Sequence, residues 1–154
     1  MLQTTEADLS KILDRAKTFH GHLGPFLVIG VRAGLIGLQK MKLDEGFQNL
    51  ATTITLEYRT PYSCIIDGVQ IATRCTTGNG CLRIENSDRD NIHIFFEDKK
   101  RHRVKLTVNP SLLKELQYEL AGPKDRKKLE TLAYQIASMR EDELFVINLL
   151  PNSI

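Results

Sequence analysis

The fold is decided by residues 20–41, which read HGHLGPFLVIGVRAGLIGLQKM. Proline is favoured in the first turn of a helix, because its missing N–H would have no intrahelical partner there. We therefore predict Gly24 as the cap, Pro25 as the first helical residue and a buried helix through Met41. Each of the three glycines inside this helix costs about 1 kcal/mol relative to alanine. That cost predicts that another element packs very close to the helix.

The rest of the chain predicts an α+β fold. Apolar residues at helical spacing follow a helix start at Thr5. Further helices are predicted over 65–74, 110–121 and 125–140, strands over 52–58, 81–86, 91–97, 103–109 and 144–150, hairpin turns at 87–90 and 98–101, and a polar loop at 42–49. Because helices and strands are partly segregated, we predict a mainly antiparallel sheet packed against helices, in one domain over residues 1–154.

Composition and charge narrow the class of protein. The 154 residues are 42% hydrophobic and 26% charged, as in an ordinary globular protein. The net charge of +2 argues against a nucleic-acid or acidic membrane partner. The apolar run at 26–38 is too short to span a bilayer. Three irregularly spaced cysteines, with no signal-peptide pattern before them, predict a reduced, cytoplasmic protein.

His20 and His22 are the first candidate site residues. Two histidines two positions apart would diverge on a helix, so they can face one point only in an extended or irregular segment. The intervening Gly21 permits such a segment. Neutral imidazole is a common metal ligand, which makes the pair a candidate metal site. The alternative is a pair of loop histidines bonded to nearby backbone.

The cysteines are candidates with a geometric conflict. Cys64 begins a predicted helix, a position that lowers a thiol's pKa and favours the thiolate. The alternative role for Cys64 is that of a small buried apolar residue. Cys75 lies eleven residues on, about 16 Å away along a straight helix, too far to share one zinc with Cys64. The helix is then shorter or bent, or the two thiols serve different sites, or a second subunit supplies one of them.

Polar residues near Cys64 add weaker candidates. Asp67 and Gln70 are one turn apart, so they share a helix face. Asp67 is predicted either to orient an imidazole or to complement the helix N-terminus. Thr77 and Gly78 lie in a turn whose amides suit an anion, although such turns are usually only turns. The basic run at 99–103 is predicted to solvate a hairpin tip or to blunt an edge strand.

Three motif blocks, in this order, resemble the FmdE family, the proteins similar to the FmdE component of formylmethanofuran dehydrogenase. They are HGHLGP at 20–25, SCIIDGVQ at 63–70 and CTTGNG at 75–80, with a GVRAG helix segment at 30–34. The resemblance implies an α+β core with a His/Cys metal site, usually zinc, in archaea and anaerobic bacteria. It also implies a homodimer, alone or within a larger enzyme complex.

Carried onto this sequence, the resemblance and the residue chemistry together give a set of expected site residues. The expected ligands of zinc or another divalent transition metal are His20, His22, Cys64 and Cys75. The expected catalytic residues are Cys64 and His22. The expected cofactor-binding residues are Asp67, Gln70, Thr77 and Gly78.

The chain also departs from the family pattern. Many members have cysteine where Gly24 stands, and some carry a C-terminal zinc finger, whereas this chain has no cysteine after Cys81. Two functions fit these observations. One is a metal-dependent enzyme, or a component of one, in the one-carbon or redox metabolism of an archaeon or anaerobe. The other is a non-catalytic protein that binds metal or delivers metal or cofactor. The near-neutral charge disfavours a third, nucleic-acid-binding function.

Overall fold

The computed structural model describes residues 5–42, 50–88 and 90–151. The helices are α1 (Glu6–His20), α2 (Pro25–Met41), α3 (Cys64–Thr73), α4 (Pro110–Glu119), α5 (Arg126–Ser138) and α6 (Glu141–Leu144). The strands are β1 (Leu50–Leu56), β2 (Leu82–Asn86), β3 (His93–Asp98), β4 (Arg103–Val108) and β5 (Phe145–Leu150). Residues 43–49 of the predicted polar loop and residue 89 of the predicted turn at 87–90 lie outside the described residues. No helix in the described ranges has the length and hydropathy that crossing a bilayer requires.

The five strands form one sheet in the order β2-β1-β3-β4-β5. β1 and β2 are parallel, with α3 between them in sequence, and the other three neighbouring pairs are antiparallel. The predicted α+β fold with a mainly antiparallel sheet is confirmed. The predicted hairpin at 87–90 is wrong, because β1 lies between β2 and β3. The predicted turn at 98–101 does join β3 to β4, and the Arg101 N–H donates to the Asp98 carbonyl at 3.1 Å.

The helix α2 is the buried centre of the helical layer. Gly24 caps it in an extended conformation and Pro25 stands in its first turn, as predicted. Twelve of its 17 residues are buried. It contacts α1, α3, α5, β3 and β4, so most of its surface meets other parts of the protein. The apolar run that looked too uniform for an amphipathic helix is explained by this position.

Two helices meet backbone to backbone where α2 crosses α3. A Cβ atom added at Gly30 would collide with the carbonyl oxygen of Ile65, and one added at Gly68 would collide with the carbonyl oxygen of Leu27. Gly34 lies one turn further along α2, and a Cβ there would come within 2.7 Å of the Ala72 Cβ. The glycines of α2 are therefore required by close packing, as their helix-propensity cost predicted.

A buried cation ties α5 to α2. Arg32 is half-buried, and its Nη1 donates to the carbonyls of Ile136, Ala137 and Met139 at 3.2, 2.9 and 2.8 Å. These carbonyls lie at the end of α5, where backbone acceptors have no partner within the helix. A guanidinium there satisfies the acceptors and complements the negative end of the helix dipole.

We predict that Gly30→Ala destabilises the protein, although alanine favours a helix by about 1 kcal/mol. The added methyl must push α3 away, and overpacking of this kind typically costs about 1–3 kcal/mol. Urea unfolding of the variant and the wild type measures the difference. Gly122→Ala is the matched control, because a Cβ at Gly122 would meet no atom within 4 Å. A Gly30→Ala protein as stable as the wild type would contradict the close contact.

Candidate functional site

A helix end and a left-handed glycine place the two histidines side by side. His20 is the last residue of α1, and Gly21 ends the helix with φ of 101° while its N–H donates to the Lys17 carbonyl at 2.8 Å. Only glycine adopts this conformation readily, so Gly21 sets the turn. The ring centroids of His20 and His22 are 4.7 Å apart, with the planes inclined by 44°.

Both histidines line a cavity of about 210 Å³ at the N-terminal end of α2. Cys64, the first residue of α3, lines the same cavity. The remaining wall includes Leu27, Leu120, Lys124 and Leu129. No motif pointed to the last three, because they come from distant segments that only the fold brings to the histidines.

Asp67 holds the His20 ring. The His20 Nδ1 and Asp67 Oδ2 are 2.6 Å apart, and only 12% of the His20 side chain is exposed. A carboxylate is only an acceptor, so Nδ1 carries the proton in this contact and a neutral ring presents a lone pair at Nε2. That Nε2 is buried and has no hydrogen-bond partner within the described part of the chain. Of the two roles predicted for Asp67, the structure shows the contact with the imidazole.

Gln70 extends this contact to the turn after α3. Its Nε2 donates to the Asp67 Oδ1 at 3.4 Å, and its Oε1 accepts from the Thr77 N–H at 3.1 Å. The Thr77 amide is therefore engaged inside the protein and does not stand free for an anion. Gly78 lies in the same turn, away from the residues that line the cavity. The structure thus makes Gln70 and Thr77 supports of Asp67, in contrast to the cofactor-binding role expected for Thr77 and Gly78.

The Cys64 thiol differs from expectation in its acidity. Its position at the start of α3 predicts a lowered pKa, but burial and then the negative charge of Asp67 raise the pKa. Desolvation disfavours the thiolate more strongly than the helix end favours it. In the protein without metal, Cys64 is consequently held as the neutral thiol.

Cys75 is not brought to the cavity. It lies beyond the intact helix α3, is fully buried, and its Sγ donates to the Cys81 carbonyl at 2.6 Å. Burial, with smaller effects of Thr52 and Cys81, raises the pKa of Cys75 to about 11. The expectation that Cys75 shares the site of His20 and His22 is corrected, because α3 is neither shortened nor bent enough to close the gap.

The metal donors are not assembled as a group. Within the described ranges, no three His, Cys, Asp or Glu side chains stand close enough together to hold a metal ion. Burial, followed by the positive charges of His20 and Arg126, lowers the pKa of His22, so its ring is neutral at neutral pH. The chemistry of the donors still fits a metal at one atom in particular, the buried and unpartnered Nε2 of His20.

A model of one protein family matches residues 19–146, a span that contains all the expected site residues. The chain belongs to the FmdE family. The description of that family is "FmdE, Molybdenum formylmethanofuran dehydrogenase operon". The resemblance of the three motif blocks is thereby confirmed.

Two similar proteins illustrate the breadth of this family. A "Probable S-adenosyl-L-methionine-binding protein" of Archaeoglobus fulgidus is 39% identical over 77 residues, which are 50% of this chain and 21% of that protein. The chain thus matches about a fifth of the length of this relative. A crystal structure of a tungsten formylmethanofuran dehydrogenase FmdE-like protein from Syntrophus aciditrophicus superposes with a TM-score of 0.60 at 18% identity. The superposition covers 99% of this chain and 78% of the other, and shows a shared fold.

We predict that Cys75 resists alkylation in the folded protein. With a pKa of about 11, only about one Cys75 thiol in a thousand is ionised at pH 8, and the thiolate is the reactive form. Mass spectrometry after iodoacetamide treatment should show half-buried Cys81 modified first. The rate at Cys75 should rise with pH, and urea should abolish the difference. Equal rates at Cys75 and Cys81 in the folded protein would contradict the burial of Cys75.

Proposed function

We propose that this FmdE-family protein binds one divalent transition metal ion, with zinc as the first choice, through His20, His22 and Cys64. The observation that carries the proposal is the His20 ring, whose Nδ1 is held by Asp67 while its buried Nε2 has no partner in the described part of the chain. Metal-binding histidines commonly donate their other ring N–H to a carboxylate in this way. Two imidazoles and a thiolate form a donor set typical of zinc.

Each residue has a distinct task in this proposal. His20 is already oriented by Asp67, so its lone pair is fixed in advance. His22 and Cys64 have to rotate toward the ion, since the three donors do not yet form a group. The Cys64 thiol, held neutral in the free protein, loses its proton on binding, because a metal ion deprotonates a coordinated thiol. The leucines of the cavity wall exclude water from the donors.

In the catalytic form of the proposal, His22 and Cys64 act at the reacting centre. Three protein donors leave one position of a tetrahedral site open to water or substrate. A zinc ion bound there supplies Lewis acidity, which polarises a carbonyl or acidifies a bound water. The raised pKa of Cys64 argues against a free thiolate nucleophile, so Cys64 acts as a ligand.

The biological setting is part of the proposal. The family description names a formylmethanofuran dehydrogenase operon, which supports a role in one-carbon or redox metabolism. One similar protein comes from the archaeon Archaeoglobus fulgidus, which agrees with an archaeal or anaerobic setting. Three free cysteines suit the reducing cytoplasm. We also propose a homodimer, alone or within a larger complex, and light scattering tests this assembly.

A non-catalytic protein that delivers metal or cofactor is the second candidate. The unassembled donor group favours it, because a site that must close on its metal also opens to release it. Transfer of bound zinc to a chelator within seconds would favour delivery, and slow transfer would favour a resident metal. S-adenosylmethionine is not proposed for this cavity, whose volume of about 210 Å³ is below the roughly 300 Å³ at which sites for drug-sized ligands begin.

We predict that the wild type binds one zinc ion per chain and that His20→Ala, His22→Ala and Cys64→Ser each abolish stoichiometric binding. Asp67→Asn should weaken the affinity by about 10–100-fold, because it frees the His20 ring. Elemental analysis of untagged protein and chelator competition measure both effects. Cys81→Ser is the matched control, since Cys81 does not line the cavity. Full zinc content in His20→Ala would refute the proposed site.

We predict that Gly24→Cys strengthens zinc binding. A Cβ at Gly24 would lie 3.8 Å from the Cδ2 and Nε2 atoms of His22, an ordinary contact, and the backbone there is extended. The new thiolate adds a fourth donor, which should tighten the affinity by at least about tenfold. Chelator competition measures the change, and Gly24→Ala controls for the added Cβ. An unchanged affinity in Gly24→Cys would place the ion elsewhere.

A further inference from the structure

A second and larger cavity, of about 660 Å³, lies at the other end of α2 from the histidines. It is formed between the C-terminal end of α2, the β3–β4 hairpin and the end of β5. Its apolar side is made by Met41, Val104 and Leu149. Leu149 is 67% exposed, which is unusual for leucine in a strand. The volume lies within the range of small-molecule sites, roughly 300–1,000 Å³.

The polar side of this cavity is basic. Lys42, Lys99, Lys100 and Arg103 line it, and none of them forms an ion pair with a carboxylate in the described residues. The carboxylate at the cavity, Asp98, already accepts from the backbone N–H of His102 at 2.9 Å and contacts its Nδ1 at 2.8 Å. Within the described part of the chain, four cations therefore surround one cavity without a compensating anion.

Arg103 is the fixed member of this group. It lies at the start of β4, where it pairs with Glu97 of β3 and Leu150 of β5 in the sheet. Its Nη2 donates to the Pro151 carbonyl at 2.6 Å, while its Nε is buried and has no partner in the described ranges. A partly buried guanidinium without a counter-ion is unfavourable, and an anion in the cavity would offset that cost.

We propose that this cavity binds a small organic phosphate. The phosphate group is held by Arg103 and the lysines, and the apolar part of the ligand lies on Met41, Val104 and Leu149. A phosphate monoester carries nearly two negative charges and three acceptor oxygens, which match several converging cations better than a carboxylate does. The apolar side distinguishes the ligand from inorganic phosphate. The site lies apart from the His/Cys cavity and requires no metal.

A matched control exists within the same hairpin. Arg101 carries the same charge two residues before Arg103, but it does not line the cavity and it pairs with Glu97 at 3.6 Å. If the basic run only keeps the hairpin tip solvated, removing either arginine has the same small effect on anion binding. If the cavity is a binding site, only the loss of Arg103 matters.

Isothermal titration calorimetry of the full chain with phenyl phosphate, at about 0.15 M salt to screen diffuse attraction, tests the proposal. The wild type should bind phenyl phosphate about tenfold more tightly than inorganic phosphate or phenol. Arg103→Gln should weaken this binding by about tenfold, as expected for a lost charge-assisted hydrogen bond. Arg101→Gln should leave the binding within about twofold of the wild type.

Two further variants keep the result clear of folding effects. The double variant Lys99→Gln/Lys100→Gln changes only exposed hairpin residues and should also weaken phenyl phosphate binding. Leu149→Asn should weaken binding of phenyl phosphate but not of inorganic phosphate. If Arg103→Gln unfolds in a thermal melt, the double variant decides. No binding by the wild type, or equal losses in Arg101→Gln and Arg103→Gln, would overturn the proposal.

Discussion

The candidate metal site depends on the contact between α2 and α3 at Gly30 and Gly68. Interaxial distance between helices is set by the side chains at the crossing, and two glycines remove them altogether. α3 therefore lies directly against α2, with Cys64 at its start beside the end of α1. Asp67 follows one turn later, within 2.6 Å of His20. A wider crossing would carry Cys64 and Asp67 away from the histidines together.

Local signals in the sequence predicted most of the elements and half of the site. The Gly-Pro pair marked the start of α2, and the Gly21 hinge anticipated the adjacent histidines. The parallel pairing of β1 with β2 was missed, because strand pairing across α3 leaves no local pattern. The acidity of Cys64 was misjudged for a similar reason, since burial is a property of the whole fold.

The two cavities separate two kinds of chemistry. One holds imidazoles and a thiol at the N-terminal end of α2, and the other holds lysines and an arginine at its C-terminal end. With 17 residues, α2 is about 25 Å long, so a ligand in one cavity cannot touch the other. The histidine cavity is only partly preorganised: the hydrogen bonds from Thr77 through Gln70 to Asp67 fix His20, but His22 and Cys64 remain free to rotate.

The clamp of Arg32 on the end of α5 has a consequence for synthesis on the ribosome. α5 carries Leu129, part of the wall over the histidines, and it docks through a cation that belongs to α2. Chains emerge from the N-terminus first, so the imidazoles and the Cys64 thiol leave the ribosome well before their cover is made. The nascent chain thus passes through a stage in which the donors are open to ions in the surrounding solution. Closure of the wall around them is one of the last steps of folding.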